Sequence, residues 1–265
     1  MKPVFFFDVD GTLVDTKKNE VPKSSIEAIS TLQEKGYLCC VATGRIFSNF
    51  KENIAYKAID WDGYICGNGL QVVDKEGKYL ANDAFSTELV TKVHEIVLKE
   101  GHSSCIICDD GIYMLDEMDN NAQDALSFLH EKVSYCAQYD NRIVRAMMIF
   151  APAGYSYAPY NDIKEVKAIP SYVSYCDLIL SSISKSKGIQ VFLEHMGAKN
   201  YIAFGDSMND YDMLEKATYS IAMGQAPEEI KSIVDYVSDP VDQDGLAQAI
   251  YTCVLERGGK NEGEE

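Results

Sequence analysis

The chain of 265 residues predicts an α/β fold, a doubly wound parallel sheet interrupted by an inserted α+β unit. Three observations predict it. Apolar runs alternate with amphipathic helical stretches at both ends of the chain, as in a parallel sheet. The middle joins its apolar runs through tight turns, as hairpins do. The polar residues able to do chemistry follow apolar runs of the outer segments, and ligands bind at such strand ends in open α/β sheets. The expected boundaries are 1–82 with 183–265 for the outer unit and 83–182 for the insert.

Residues 3–7, ending in Val4-Phe5-Phe6-Phe7, read as a buried strand. Pro22 to Glu34 reads as a helix with Ile26, Ile29 and Leu32 on one face and Gly36 as its stop. Tyr37 to Ala42 is a second strand, and Thr43-Gly44-Arg45 turns it into another helix. Tyr64 to Gly67 is a short strand, followed by Asn68-Gly69 and a hairpin through Asp74–Gly77. In the insert, Ser86 to Glu100 is an amphipathic helix closed by Gly101. Cys105–Cys108 and Ile112–Leu115 pair across Asp109-Asp110-Gly111; Ala122 to Lys132 is helix and Val144–Ala151 strand. Alternation resumes after Leu178. Ser186 is the expected cap of a helix running to about Met196, with Gly197 as its stop. Tyr201–Phe204, Ser220–Met223 and Asp235–Val237 read as strands, and residues 258–265 as a disordered tail.

Composition narrows the function. The apolar fraction, 46%, is ordinary for a soluble globular protein. No apolar run approaches bilayer length, and the run after Met1-Lys2-Pro3 is too short for a secretory signal. A cytoplasmic protein with no membrane partner is the expectation. The net charge of −17 disfavours non-specific nucleic-acid binding. An anionic substrate would need a local positive centre. Of the eight cysteines, Cys39, Cys40 and Cys66 lie in apparent strands and Cys253 in a terminal helix, as buried free thiols do. Cys105 and Cys108 form a C-x-x-C, but on one strand their sulfurs face opposite ways, against a zinc or redox site. His94, His102 and His130 lack ligand spacing and read as surface or satisfied core residues.

The most informative segment is Asp8-Val9-Asp10-Gly11-Thr12, directly behind the first apolar run. Residues two apart in an extended chain share a side, so Asp8 and Asp10 converge at a strand end. Gly11 permits a tight turn and leaves its N–H open to an anion. Two such acids suit a divalent metal and an attacking carboxylate, although Asp-x-Asp alone is as often a solvated turn. An EF-hand would place glycine at the sixth loop position, whereas here it stands at the fourth.

Four elements fall in order at strand ends or helix starts: Asp8-x-Asp10-Gly11-Thr12, Thr43-Gly44-Arg45, Lys187-Gly188, and Gly205-Asp206-Ser207-Met208-Asn209-Asp210. Together they resemble the haloacid dehalogenase superfamily of phosphohydrolases, most closely the Cof-type branch with a large cap inserted between the second and third motifs. The resemblance implies a Rossmann-like catalytic core, 1–82 with 183–265, and a specificity cap, 83–182. It implies Asp8 as nucleophile and Asp10 as the acid and base that serves the leaving oxygen and then water. Asp8, Asp206, Asp210 and the backbone carbonyl of Asp10 would hold Mg²⁺, Asp210 through a coordinated water. Thr43 would grip a phosphoryl oxygen, and Lys187 would neutralise the phosphate. Gly11, Gly44, Arg45 and Asn209 complete the expected phosphate site. Lys185 competes with Lys187, but only Lys187 directly precedes the glycine. Asn68-Gly69 and Asp244-Gly245 resemble the branch too, and turns explain them equally well.

The expected activity is Mg²⁺-dependent hydrolysis of a small phosphorylated metabolite, such as a sugar phosphate, through an aspartyl phosphate. The alternatives are a sugar phosphomutase on the same scaffold and a non-catalytic sugar-phosphate-binding regulator. A monomer or weak homo-oligomer is expected. Paired-acid glycosidase chemistry does not suit Asp8 and Asp10, too close in sequence to flank a sugar ring. Asp109, Tyr113, Asp116, Asn120 and Arg145 are pocket candidates in the insert.

Overall fold

A computed structural model describes residues 2–129, 132–136, 139, 142–171 and 173–255. The expected tail at 258–265 and His130 lie outside the described residues. Internal contacts divide the chain into two units, Met1–Asn82 with Ser184–Glu265, and Asp83–Ile183.

The strands in chain order are β1 (Val4–Phe7), β2 (Cys39–Ala42), β3 (Gly63–Cys66), β4 (Gln71–Asp74), β5 (Tyr79–Asn82), β6 (Ser103–Cys108), β7 (Gly111–Met114), β8 (Ser134–Tyr135), β9 (Val144–Phe150), β10 (Val166–Pro170), β11 (Tyr175–Leu180), β12 (Tyr201–Gly205), β13 (Tyr219–Ala222) and β14 (Tyr236–Val237). The first unit holds an eight-stranded sheet in the order β14-β13-β12-β1-β2-β3-β4-β5. It is parallel from β14 to β3 and antiparallel through β4 and β5. The expected hairpin is the β4–β5 turn, where Gly77 N–H donates to Asp74 O at 3.0 Å.

β1 is central and apolar throughout because both its faces are covered. Phe5 and Phe7 pack with Leu32, Trp61 and Phe204 on one face. Phe6 points the other way, to Phe192 and Leu193 of the helix Lys185–Met196. Burying such rings contributes about 2–3 kcal/mol each. This two-sided burial fixes the register of β1 and delivers Asp8 to its carboxyl end. β2, β3 and β12 run parallel to β1 or its neighbours, so Thr43, Gly67–Gly69 and Asp206 emerge at that same end.

The second unit holds a six-stranded sheet, β10-β11-β9-β6-β7-β8, antiparallel except for the β7–β8 pair. The helix Thr87–Glu100 starts on Ser86, whose hydroxyl accepts from Leu89 N–H at 3.2 Å, and ends on left-handed Gly101. Cys105 packs with Met114 and Phe150, while Cys108 packs on the opposite face with Ile106 and Val144. None of the eight cysteines is in a disulfide. Among the described residues no helix is long and apolar enough to cross a membrane.

Candidate active site

The β1 exit bends at Gly11, whose φ is +95°. A Cβ there would overlap the Asp206 carboxylate. Glycine thus lets the first acidic loop lie directly against the last. The expected open N–H of Gly11 is not open: it donates to Val14 O at 3.0 Å. The turn reverses the chain so sharply that this amide closes it. The N–H groups of Val9 and Asp10 have no protein acceptor among the described residues, so anion-binding capacity lies one and two residues earlier. Thr12 Oγ1 donates to Asp206 Oδ1 at 3.1 Å, a brace that the motif alone did not reveal.

Lys185, not Lys187, occupies the site. Its ammonium lies 2.6 Å from Asp8 Oδ1 and 2.6 Å from Asp210 Oδ1, and the residue is fully buried. Lys187 is exposed. The physical reason is the helix start. Ser184, rather than Ser186, is the N-cap, its hydroxyl accepting from Lys187 N–H at 3.3 Å. Lys185 is then the first helical residue and points inward. The Ser186 hydroxyl, freed from capping, donates to Asp212 Oδ2 at 2.6 Å. Two glycines bring this helix start close. A Cβ on Gly69 would sit 2.1 Å from Ser184 O, and one on Gly188 would sit 2.9 Å from Gly69 Cα.

β12 ends in the second acidic loop. Asp210 is fully buried and accepts at Oδ2 from the N–H groups of Asp206 and Ser207, both at 3.0 Å. A Cβ on Gly205 would lie 2.7 Å from Asp210 Cβ, so glycine again permits the loop. Burial, then repulsion from Asp210, raises the Asp8 carboxyl well above its usual range, with Lys185 pulling the other way. Burial and Asp210 push Asp206 up to about 7. Burial works against the charge on Lys185, but Asp210 and Asp8 outweigh it and hold its pKa above the ordinary value.

At the β2 exit, Thr43 N–H is spent on Ile65 O at 2.8 Å, and Thr43 Oγ1 accepts from Arg45 N–H at 3.1 Å. What Thr43 offers is its hydroxyl proton, beside a Gly44 N–H that no described residue accepts. Arg45 grips the Asp10 carboxylate with Nε at 2.8 Å and Nη2 at 3.0 Å. The structure therefore places the Arg45 guanidinium on the acid–base candidate. Asn209 Nδ2 donates to Asn68 Oδ1 at 3.1 Å, joining the second acidic loop to the turn after β3. Asp244 is structural, its carboxylate accepting from Ser24 Oγ at 2.5 Å.

Asp8, Asp206 and Asp210 each present an oxygen, all within 4.8 Å of one another. Three carboxylates face one buried ammonium, an excess of buried negative charge that is costly alone. A hard divalent cation with oxygen ligands fits this donor set. The carboxylate of Asp10 is taken by Arg45, so any part Asp10 has in metal binding falls to its backbone carbonyl.

Of the pocket candidates in the insert, Asp116 accepts from Ser104 N–H at 2.9 Å and lies 2.7 Å from His94 Nε2. Arg145 is buried, ion-paired with Asp109, and donates to Asp83 O at 2.6 Å. Both are internal ties of that unit. Tyr113 donates to Asp110 at 3.1 Å, and Asn120 opens the helix Asn120–Leu129.

A mostly parallel sheet with a buried aspartate–lysine–aspartate cluster at its strand ends can support phosphoryl-transfer chemistry. The chain belongs to the haloacid dehalogenase-like hydrolases, whose family model matches residues 5–250. It is 26% identical over 253 residues to the putative phosphatase YkrA of Bacillus subtilis, covering 93% of this chain and 96% of that one. It is 25% identical over 271 residues to the pyridoxal phosphate phosphatase YbhA of Escherichia coli, covering 95% and 98%. The solved structure of the subclass IIB sugar phosphatase BT4131 superposes with a TM-score of 0.81, at 29% identity over 94% of this chain and 98% of that one.

Proposed function

We propose that this haloacid dehalogenase-like phosphatase hydrolyses small phosphate monoesters, sugar phosphates foremost, with Mg²⁺ and through an aspartyl phosphate on Asp8. The observation that carries the reading is the buried Lys185 ammonium bridging Asp8 and Asp210 beside Asp206. Asp8 spends Oδ1 on Lys185, which leaves Oδ2 to attack phosphorus. The bond from phosphorus to the ester oxygen breaks as the bond to Asp8 forms, and Asp10 delivers a proton to the departing alcohol. Water then attacks phosphorus, Asp10 takes its proton, the bond to Asp8 breaks, and inorganic phosphate leaves.

Lys185 orients Asp8 and offsets charge on the phosphoryl oxygens. Thr43 offers its hydroxyl, and Val9, Asp10 and Gly44 offer N–H groups to the same oxygens. Arg45 holds the Asp10 carboxylate in one orientation. Asp8, Asp206, Asp210 and the Asp10 carbonyl would hold Mg²⁺, which supplies positive charge to the phosphoryl group as negative charge accumulates there. Such chemistry is positioning and charge neutralisation, which this cluster provides.

A panel of phosphorylated metabolites assayed for phosphate release tests the reading. Release from at least one small ester is expected with Mg²⁺ and not in excess chelator, with recovery when Mg²⁺ is restored. Full activity in excess chelator would remove the metal from the mechanism, and an isomer without free phosphate would indicate a mutase.

A further inference from the structure

We infer that Asn68 contacts the phosphoryl group, its side-chain amide donating to a non-bridging oxygen held over Gly44. This rests on the phosphatase reading above. Asn68 sits in the turn Gly67–Gly69 with φ 55° and ψ 32°, a left-handed conformation uncommon outside glycine. Its neighbours Gly67 and Gly69 are glycines at positive φ, so the turn keeps a side chain only at its centre. That residue is buried, and its backbone N–H donates to Thr43 O at 3.0 Å, tying the turn to the β2 exit.

The hydrogen bonds around Asn68 have a direction. Ser207 Oγ donates to Asn209 Oδ1 at 2.7 Å, and Asn209 Nδ2 donates to Asn68 Oδ1 at 3.1 Å. The series ends on Asn68 Nδ2, whose hydrogens have no acceptor among the described residues. A buried carboxamide with its oxygen satisfied and its nitrogen unspent suits an incoming acceptor. The space beside it is open because residue 44 is glycine. A Cβ on Gly44 would lie 3.4 Å from Asn68 Nδ2 and 3.5 Å from Asn209 Nδ2. Gly44 itself carries an N–H that no described residue accepts. A phosphoryl dianion carries three non-bridging oxygens and needs several such donors.

The test compares wild type, Asn68→Asp and Asn68→Gly in excess Mg²⁺, with inorganic phosphate as the probe. Aspartate keeps the oxygen that Asn209 bonds and loses the donor. Glycine keeps the left-handed backbone and loses the whole amide. The phosphate inhibition constant and the KM for a small ester should both rise about tenfold or more in each variant, with melting temperatures close to wild type. Wild-type phosphate affinity in a folded Asn68→Asp protein overturns the inference, because Asn68 then only braces Asn209. Unchanged affinity in a folded Asn68→Gly protein overturns it too. Absence of turnover in the wild type on every ester would overturn the phosphatase reading instead, and calorimetric phosphate binding by the same three proteins would still decide the role of Asn68.

Discussion

Lys185 is held by two carboxylates at 2.6 Å and has no exposure to water. Replacing it with methionine leaves Asp8 and Asp210 buried without their counter-charge, which typically costs about 3–5 kcal/mol. Lys185→Met should therefore melt at a markedly lower temperature and lose turnover by about a thousandfold or more, roughly 4 kcal/mol of barrier. Lys187→Met should stay within about twofold of wild type, since surface substitutions rarely exceed ~0.5 kcal/mol. Steady-state rates and melting curves of the two variants check this. A second residue shows the opposite case, a carboxylate with no side-chain partner among the described residues. Asp177 lies half-buried on β11 between Met148 and Ile169, and desolvation there raises its pKa from 3.8 to about 6. Protonated in both states below pH 3.8, it carries no penalty there; the penalty grows as pH rises and is complete above about 6. Asp177→Asn should thus stabilise the protein at pH 7.5, by about 1–3 kcal/mol, and change little at pH 3.5. Denaturant unfolding at the two pH values measures it. The carboxylates at the strand ends were legible in the sequence because a run of buried residues must end before polar ones begin. The choice between Lys185 and Lys187 was not, since it turns on which of two serines caps the helix.

At the scale of elements, the site depends on how closely the helix Lys185–Met196 approaches the turn Gly67–Gly69. Gly69→Ala would set a methyl 2.1 Å from Ser184 O at a φ of +98°. Moving the helix start away should cost about 2–4 kcal/mol of stability. It should also lower kcat more than it raises KM, because Lys185 moves with the helix. Gly36→Ala, also at positive φ but with open space around its Cβ, is the control: it should cost stability and leave kcat unchanged. Comparing kcat, KM and melting temperature for the two variants separates strain from misplacement. The buried helices and strands of the outer unit were readable from periodicity and glycine stops. β10 and β11 were not. β10 carries a lysine and a proline, and Asp177 interrupts the apolar run of β11, so neither shows a clean alternation. β11 pairs with β9 and β10 with β11, and this pairing overrides the weak local signal.

For the whole molecule, the acidic cluster, Lys185, Thr43 and the two asparagines all belong to the unit Met1–Asn82 with Ser184–Glu265. The chemistry should then follow that unit and the choice of ester should follow the other. Exchanging residues 83–183 for those of a relative should change the ranking of esters while Mg²⁺ dependence persists. A folded chimera that keeps the original ranking would put specificity in the loops of the outer unit. Asp8 as the attacking carboxylate is the claim on which all of this rests, and one measurement tests it most directly: the rate of phosphate release by Asp8→Asn in saturating Mg²⁺, with deamidation excluded by mass spectrometry. The amide fits the same volume and cannot attack, so turnover should fall by about a thousandfold or more, with the fold intact. Turnover within tenfold of wild type would contradict the account.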